Sequence, residues 1–154
     1  MSNVEAKLKM LRFPEMAKKV SQDLARGVLK EFGYRLVARS PIGDPTHWRP
    51  AHWPVGYVPG QFVNNWQVGI DDVPRGIIGQ ADASGSGSYE RLQKLGRWQI
   101  GHTFYFVNNL PYAKLLENGW SRSQAPLGIV GLTMAELPQI INDVKGAYSI
   151  NGRI

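Results

Sequence analysis

The chain has 154 residues, a formal charge of +6, 43% hydrophobic and 19% charged residues, and no cysteine. That suits one domain with a buried core and excludes disorder by composition, disulfides, thiol catalysis and any zinc site needing sulfur. No apolar run approaches the roughly 20 residues that span a bilayer, so no integral membrane protein is expected.

Residues Met1–Arg12 alternate charge with single apolar residues. They read as a flexible N-terminus without the apolar core of a signal peptide. Phe13-Pro14-Glu15 reads as a helix start, since proline is tolerated at the first position and an early acid favours the positive dipole end. Apolar residues then recur at Phe13, Ala17, Val20, Leu24, Val28, Phe32 and Leu36, the stripe of one helix face. Lys19, Arg26 and Lys30 fall opposite it. Gly27 and Gly33 weaken this helix by about 1 kcal/mol each, so packing must help hold it. Ser40-Pro41 ends it. A helix of this extent would be roughly 39 Å long, so part of it is expected to project. Residues 1–40 carry nine Lys or Arg against four Asp or Glu, so the basic character belongs to this element. It could lie against nucleic acid, an acidic protein surface or water.

Residues 41–60 hold five prolines and three glycines among interleaved aromatics and read as a long loop covered by the domain or by a neighbouring subunit. Phe62, Trp66, Val68 and Ile70 alternate with Val63, Asn65, Gln67 and Gly69 as in a half-buried strand, closed by Asp71-Asp72 and Pro74. Residues 76–87 end in Ala-Ser-Gly-Ser-Gly and read as a flexible loop, after which Ser88 would cap a short helix over 89–95. Trp98, Ile100, His102, Phe104 and Phe106 alternate as a second strand, ended by Asn108-Asn109. Pro111 and Gly119 bracket a two-turn helix. A last helix is expected over 127–144, kinked at Pro138, followed by a tail over 146–154 that is either an edge strand or loose. The fold class is α+β in a single domain over 1–154: a long N-terminal helix, a small antiparallel β-sheet, a short helix and a C-terminal helix packed on it, and long loops.

No catalytic constellation emerges. His47 and His52 lie five apart among prolines and match no metal-ligand spacing. His102 falls on the apolar face of the second strand and reads as a buried, hydrogen-bonded histidine. Asp71 and Asp72 would point to opposite faces and read as a solvated turn. No serine sits in a nucleophile elbow, and Gly85-Ser86-Gly87 lacks the lysine of a phosphate loop. Glu117 has no second acid or histidine at fixed spacing, so it signals a structural hydrogen bond. Neither enzyme activity, a cofactor nor a metal is expected.

From Asn108 onward the residues Asn108, Asn109, Pro111, Tyr112, Ala113, Leu116, Glu117 and Gly119 are followed by Gln124, Ala125, Pro126 and Gly128. This order and spacing resemble the neck or tail-completion proteins of long-tailed bacteriophages, which join the filled head to the tail. Arg39-Ser40-Pro41-Ile42-Gly43-Asp44 and Asn65-Trp66 match the N-terminal half of the same pattern, so the likeness covers about 13–144. In many relatives the Ser-Pro segment runs almost directly into the strand, whereas an aromatic insertion, 48–57, intervenes here.

The resemblance implies a structural virion protein, made in the host cytoplasm and ending in the neck or tail, that forms a ring of copies, commonly sixfold. Its partners would be the head-tail connector and the tail terminator or tube proteins, with weak contact to passing genomic DNA and none to a membrane. Tyr112 is then assigned packing and a hydrogen bond, Glu117 a tie from the following loop's backbone donors, and Gly119 a left-handed turn. The loops 41–60 and 76–87 would order on assembly against ring neighbours. Abundant apolar alternation and five tryptophans favour subunit contacts, and a head-to-tail ring closes such contacts on themselves. The alternative function is a nucleic-acid-binding module using Lys18, Lys19, Arg26 and Lys30.

Overall fold

The computed structural model describes residues 22–44 and 56–150. In chain order these form α1 (Gln22–Arg39), β1 (Gln67–Ile70), α2 (Ser86–Leu92), a short 3-10 helix (Gln93–Arg97), β2 (Phe104–Val107), α3 (Ala113–Glu117), α4 (Val130–Ala135) and α5 (Leu137–Ile150). The class is α+β, with two antiparallel strands paired Gln67 to Val107 through Ile70 to Phe104. Among the described residues no helix is long and apolar enough to cross a membrane.

α1 organises the core. Its predicted stripe of Leu24, Val28, Phe32 and Leu36 is buried, widened by Ala25, Leu29, Gly33 and Val37. So wide a stripe lets one helix serve two sides: the strands with α2 on one, the C-terminal helices on the other. Phe32 meets Phe106 with ring centroids 5.6 Å apart, Phe106 meets Phe104 edge-on, and Phe104 meets Trp98 edge-on. The helix stops at Ser40, whose hydroxyl donates to the Leu36 carbonyl at 2.7 Å and accepts the Trp66 indole N–H at 2.7 Å. That bond settles the polar atom of a fully buried tryptophan. The helix start expected at Phe13, the projecting end expected of it and the 1–12 segment expected to be flexible all lie outside the described residues.

The two helix glycines are packing sites. A Cβ on Gly33 would lie 2.5 Å from Leu92 Cδ2 and 3.0 Å from the Phe106 ring, and one on Gly27 would lie 2.9 Å from Val144 Cγ1. Gly33→Ala is therefore expected to destabilise by about 1–3 kcal/mol through overpacking, more than the about 1 kcal/mol of helix propensity it gains. Gly146 in α5 has nothing within 4 Å of a Cβ, and Gly146→Ala is expected to stabilise by about 0.5–1 kcal/mol. Urea midpoints of the two variants should move in opposite directions at unchanged slope.

The C-terminal helices pack on α1, not on the strands as the sequence suggested. Ile140 is fully buried there. Arg35 reaches Glu31 at 2.9 Å, Glu136 at 3.1 Å and Asp143 at 2.7 Å, and Arg39 reaches Glu136 at 2.7 Å and Thr133 Oγ1 at 2.8 Å. Burial raises the Glu136 carboxyl, but the two guanidinium groups outweigh it and hold that carboxyl below its ordinary range. The expected single kinked helix is two, parted at Glu136 ahead of Pro138, since proline cannot donate within a helix. The expected tail is helical to Ile150, because α5 continues along α1 as far as Val144 and Tyr148, which lie beside Gly27; residues 151–154 lie outside the described part.

Both strands are shorter than their alternation suggested. Ahead of β1, Gln61 N–H donates to the Val58 carbonyl and Asn65 N–H to that of Phe62, so the chain turns there. Ahead of β2, Trp98 N–H donates to Leu95 and His102 N–H to Gln99. Burial follows the alternation at Phe62, Trp66 and Val68, yet Val63, Asn64, Asn65 and Gln67 are buried too. The outer face of the sheet is covered by the following loop. Asn65 exchanges two hydrogen bonds with the Ile78 backbone, at 2.7 and 3.0 Å. Gln67 donates to the Gly76 carbonyl, Asn64 to that of Gln80, and Asn109 to those of Pro74 and Gly76. A segment that composition marks as flexible is thus tied down by four carboxamides.

Its last residues belong to α2, which begins at Ser86 behind Gly85. Ser88, expected as a cap, is inside that helix and buried, and its hydroxyl accepts the Trp66 N–H at 3.1 Å. Arg91 completes the junction by donating to the Trp66 carbonyl at 2.9 Å and to the Asn64 carbonyl.

Candidate assembly surface

The residues of the 108–128 motif lie at the end of β2, on α3 and on the loop that follows it. Asn108 is buried and donates to the Phe62 carbonyl at 3.0 Å, while its own Oδ1 accepts from Leu110 N–H at 3.4 Å. Asn109 points to the other face of the sheet and holds the 74–76 backbone. Pro111 is exposed at the turn into α3. Ala113 and Leu116 are buried inward from α3, which is shorter than the two turns expected.

Tyr112 packs in the core against Tyr57, ring centroids 4.9 Å apart, and Phe62 at 6.3 Å. Its hydroxyl is buried without a hydrogen-bond partner, so the hydrogen-bonding role expected for it is not observed. The ring is packed between Tyr57 and Phe62. Burial pushes the Tyr112 phenol up, and the Tyr57 phenol, which donates to the Ile42 carbonyl at 3.1 Å, up to about 12. An unpaired buried hydroxyl costs about 1–3 kcal/mol. Tyr112→Phe is therefore expected to leave the thermal midpoint equal or raise it, whereas Tyr112→Ala should lower it by cavity formation.

α3 ends in a Schellman cap. Trp120 N–H donates to the Leu115 carbonyl and Gly119 N–H to that of Leu116, both at 3.1 Å, with Gly119 at φ 79°. The cap places Leu115 and Trp120 at the two positions whose side chains meet across such a turn. A Cβ on Gly119 would lie 2.5 Å from the Pro126 carbonyl oxygen, and one on Gly128, also at φ 79°, 2.3 Å from that of Glu117. Both glycines let one backbone pass close to another.

Glu117 closes the loop between them. Its Oε2 accepts from Ile129 N–H at 2.9 Å and Val130 N–H at 2.8 Å, and its Oε1 from Gly131 N–H at 2.8 Å. These are the first donors of α4, which has no side-chain cap of its own. A carboxylate there satisfies orphan N–H groups and complements the helix dipole. Gln124 Oε1 accepts from Ile42 N–H at 3.0 Å and Gly43 N–H at 3.4 Å, joining the Ser-Pro-Ile-Gly segment to the Gln-Ala-Pro segment. Ala125 is buried beneath, and Pro126 is exposed.

The loop so fixed carries a greasy rim. Leu127 is 74% exposed and Trp120 52%, with Leu115, Ile42 and Val58 each near half-exposed. Gly60 N–H on the Ile42 carbonyl at 2.8 Å brings the Val58 turn to the Gln124 side of this loop. This rim was not foreseen from the sequence, since each residue alone reads as an ordinary loop hydrophobe. A tryptophan directly after a cap glycine was the available signal.

No protein-family model matches the chain, and no curated protein or solved structure matches it. The site is thus read from its own geometry and from the motif.

The remaining candidates lie elsewhere. His102 is not buried on a strand: it is half-exposed ahead of β2, its Nδ1 2.5 Å from Asp71 Oδ2. Asp71, at φ 60°, also accepts Thr103 N–H at 2.9 Å, and the His102 and Thr103 bonds hold its carboxyl below the ordinary range. The Asp71 turn is therefore braced to the neighbouring strand. Among the described residues no group of three or more His, Asp or Glu is placed to hold a metal ion. Lys18, Lys19, His47 and His52 lie outside the described residues. Arg26 and Lys30 sit on the flank of α1 beside residues 93–100 and take no part in the motif network; Arg26 Nε donates to the Trp98 carbonyl at 2.7 Å.

Proposed function

We propose that the chain is a non-catalytic structural virion protein of the phage neck or tail, which joins the head connector to the tail as a hexameric ring of identical copies. The observation that carries this reading is the convergence of the motif. Glu117, Gln124 and the two close-approach glycines shape the 118–128 loop, while Asn108 and Asn109 anchor the Phe62 turn and the 74–76 backbone, and the loop presents Trp120 and Leu127 to solvent. An exposed tryptophan held on a fixed loop is the kind of aromatic anchor that a subunit interface places at its centre. The motif thus supports geometric fit to neighbouring proteins, in the virion and in the host cytoplasm where it assembles.

The test is assembly of particles without this protein. Filled heads and separate finished tails are expected, with joining restored by the added wild-type chain. The Trp120→Ala, Leu127→Ser double variant should keep its circular dichroism and melting temperature yet fail to restore joining. Normal infectious yield without the protein would overturn the reading.

A further inference from the structure

The asparagines around the sheet and α3 differ in how their side chains are used. Asn64, Asn65, Asn108 and Asn109 all donate their carboxamides to backbone carbonyls. Asn118 does not. It is exposed at the end of α3, and its backbone N–H donates to the Lys114 carbonyl at 3.0 Å. Among the described residues its carboxamide has no hydrogen-bond partner. The residue after it is Gly119, which has no Cβ to hinder attack by its backbone nitrogen.

An asparagine followed by glycine carries a reaction of its own. The Gly119 nitrogen attacks Asn118 Cγ, a C–N bond forms, and the Cγ–Nδ2 bond breaks. Ammonia leaves, taking with it the proton of the Gly119 N–H. Water then opens the five-membered imide at either carbonyl, giving aspartate or an isoaspartate linked through its side chain. Water is the only co-reactant.

The cap of α3 opposes this step in two ways. The Gly119 N–H is engaged as donor to the Leu116 carbonyl at 3.1 Å. Ring closure also needs Asn118 Cβ and the Gly119 nitrogen nearly eclipsed about the Cα–C bond, and the observed ψ of 16° holds them well apart. Both obstacles vanish together when the cap opens. We propose that Asn118 is a self-deamidation site whose rate is set by opening of the α3 cap. Local opening of this kind costs less than global unfolding. The products in turn undo the cap. Aspartate adds a negative charge beside Glu117 at the C-terminal end of α3, where the helix dipole disfavours it. Isoaspartate lengthens the main chain by one carbon ahead of Gly119, so the Gly119 and Trp120 bonds to α3 cannot both be kept. Trp120 then leaves its place, and an unassembled copy carries a built-in limit on how long its rim stays competent. The chemistry stands apart from the joining role; its effect on joining rests on that reading.

The test is peptide mapping by mass spectrometry of the full chain held in mildly alkaline buffer, following isoaspartate and aspartate at Asn118 over time. The chain unfolded in urea should form them at least about tenfold faster than the folded chain, the factor that an opening cost of about 1.4 kcal/mol imposes. Folded Glu117→Ala, in which the far end of the loop is untied, should fall between the two. Asn118→Ser lacks the reacting group and should keep its joining activity through the incubation, whereas the wild type loses it. No product at Asn118 in urea would overturn the site. Equal rates in the folded and unfolded chain, or in Glu117→Ala and wild type, would overturn the gating. Equal loss of joining by wild type and Asn118→Ser would overturn the limit on the rim, whereas fresh protein that never joins would count against the joining role alone.

Discussion

Glu117→Ala is expected to lower the melting temperature by roughly 5–15 °C. One side chain accepts three backbone donors at the start of α4, all at 2.8–2.9 Å. Hydrogen bonds to a charged group contribute about 1.5–3 kcal/mol each, but the three share one carboxylate and Gly131 N–H can be rehydrated, so about 2–4 kcal/mol is the expected loss. In a chain of this size each kcal/mol moves the midpoint by about 2–4 °C. Glu117→Gln keeps one acceptor oxygen and should lose about half as much. Lys114→Ala, on the exposed side of the same short helix, should change little. A Glu117→Ala midpoint within 1 °C of wild type, from thermal melts by circular dichroism, would show that α4 is capped by other means.

Gly119→Val is expected to abolish the folded state or cost more than about 3 kcal/mol. Two separate penalties meet at this residue. A left-handed conformation costs a residue with a Cβ roughly 1–2 kcal/mol, and more when it is β-branched. The Cβ would also lie 2.5 Å from the Pro126 carbonyl oxygen, a backbone atom that cannot swing aside. Gly119→Asn separates the two, because asparagine tolerates positive φ but keeps the collision. Its loss should fall between those of wild type and Gly119→Val. A soluble Gly119→Val protein with a wild-type urea midpoint would mean that the cap and the Pro126 approach contribute nothing.

The helices were legible because their burial repeats with a period the sequence displays. Leu24, Val28, Phe32 and Leu36 report the buried face of α1, and the glycines at 119 and 128 report places where only a hydrogen fits. The strands were misjudged in length, since alternation records which side chains are covered and says nothing of backbone pairing. Phe62 and Trp98 are buried from turns, by contacts far along the chain. His102 was misplaced for the same reason: continuing the alternation put it on a strand that starts at Phe104. The 76–87 loop was misread because serine and glycine dominate its composition, while the groups that restrain it, Asn64, Asn65, Gln67 and Asn109, lie outside it. The partners of Glu117 lie close enough in sequence to be foreseen.

The carboxylate that caps α4 stands at the foot of α3, so both ends of the 118–128 segment are fastened at a single point. Whatever residues fill that lasso, its knot stays where it is. Trp120 or Leu127 can be exchanged for side chains suited to another neighbour while the body beneath keeps its shape. One scaffold of this kind could therefore serve several partners whose adjoining surfaces differ.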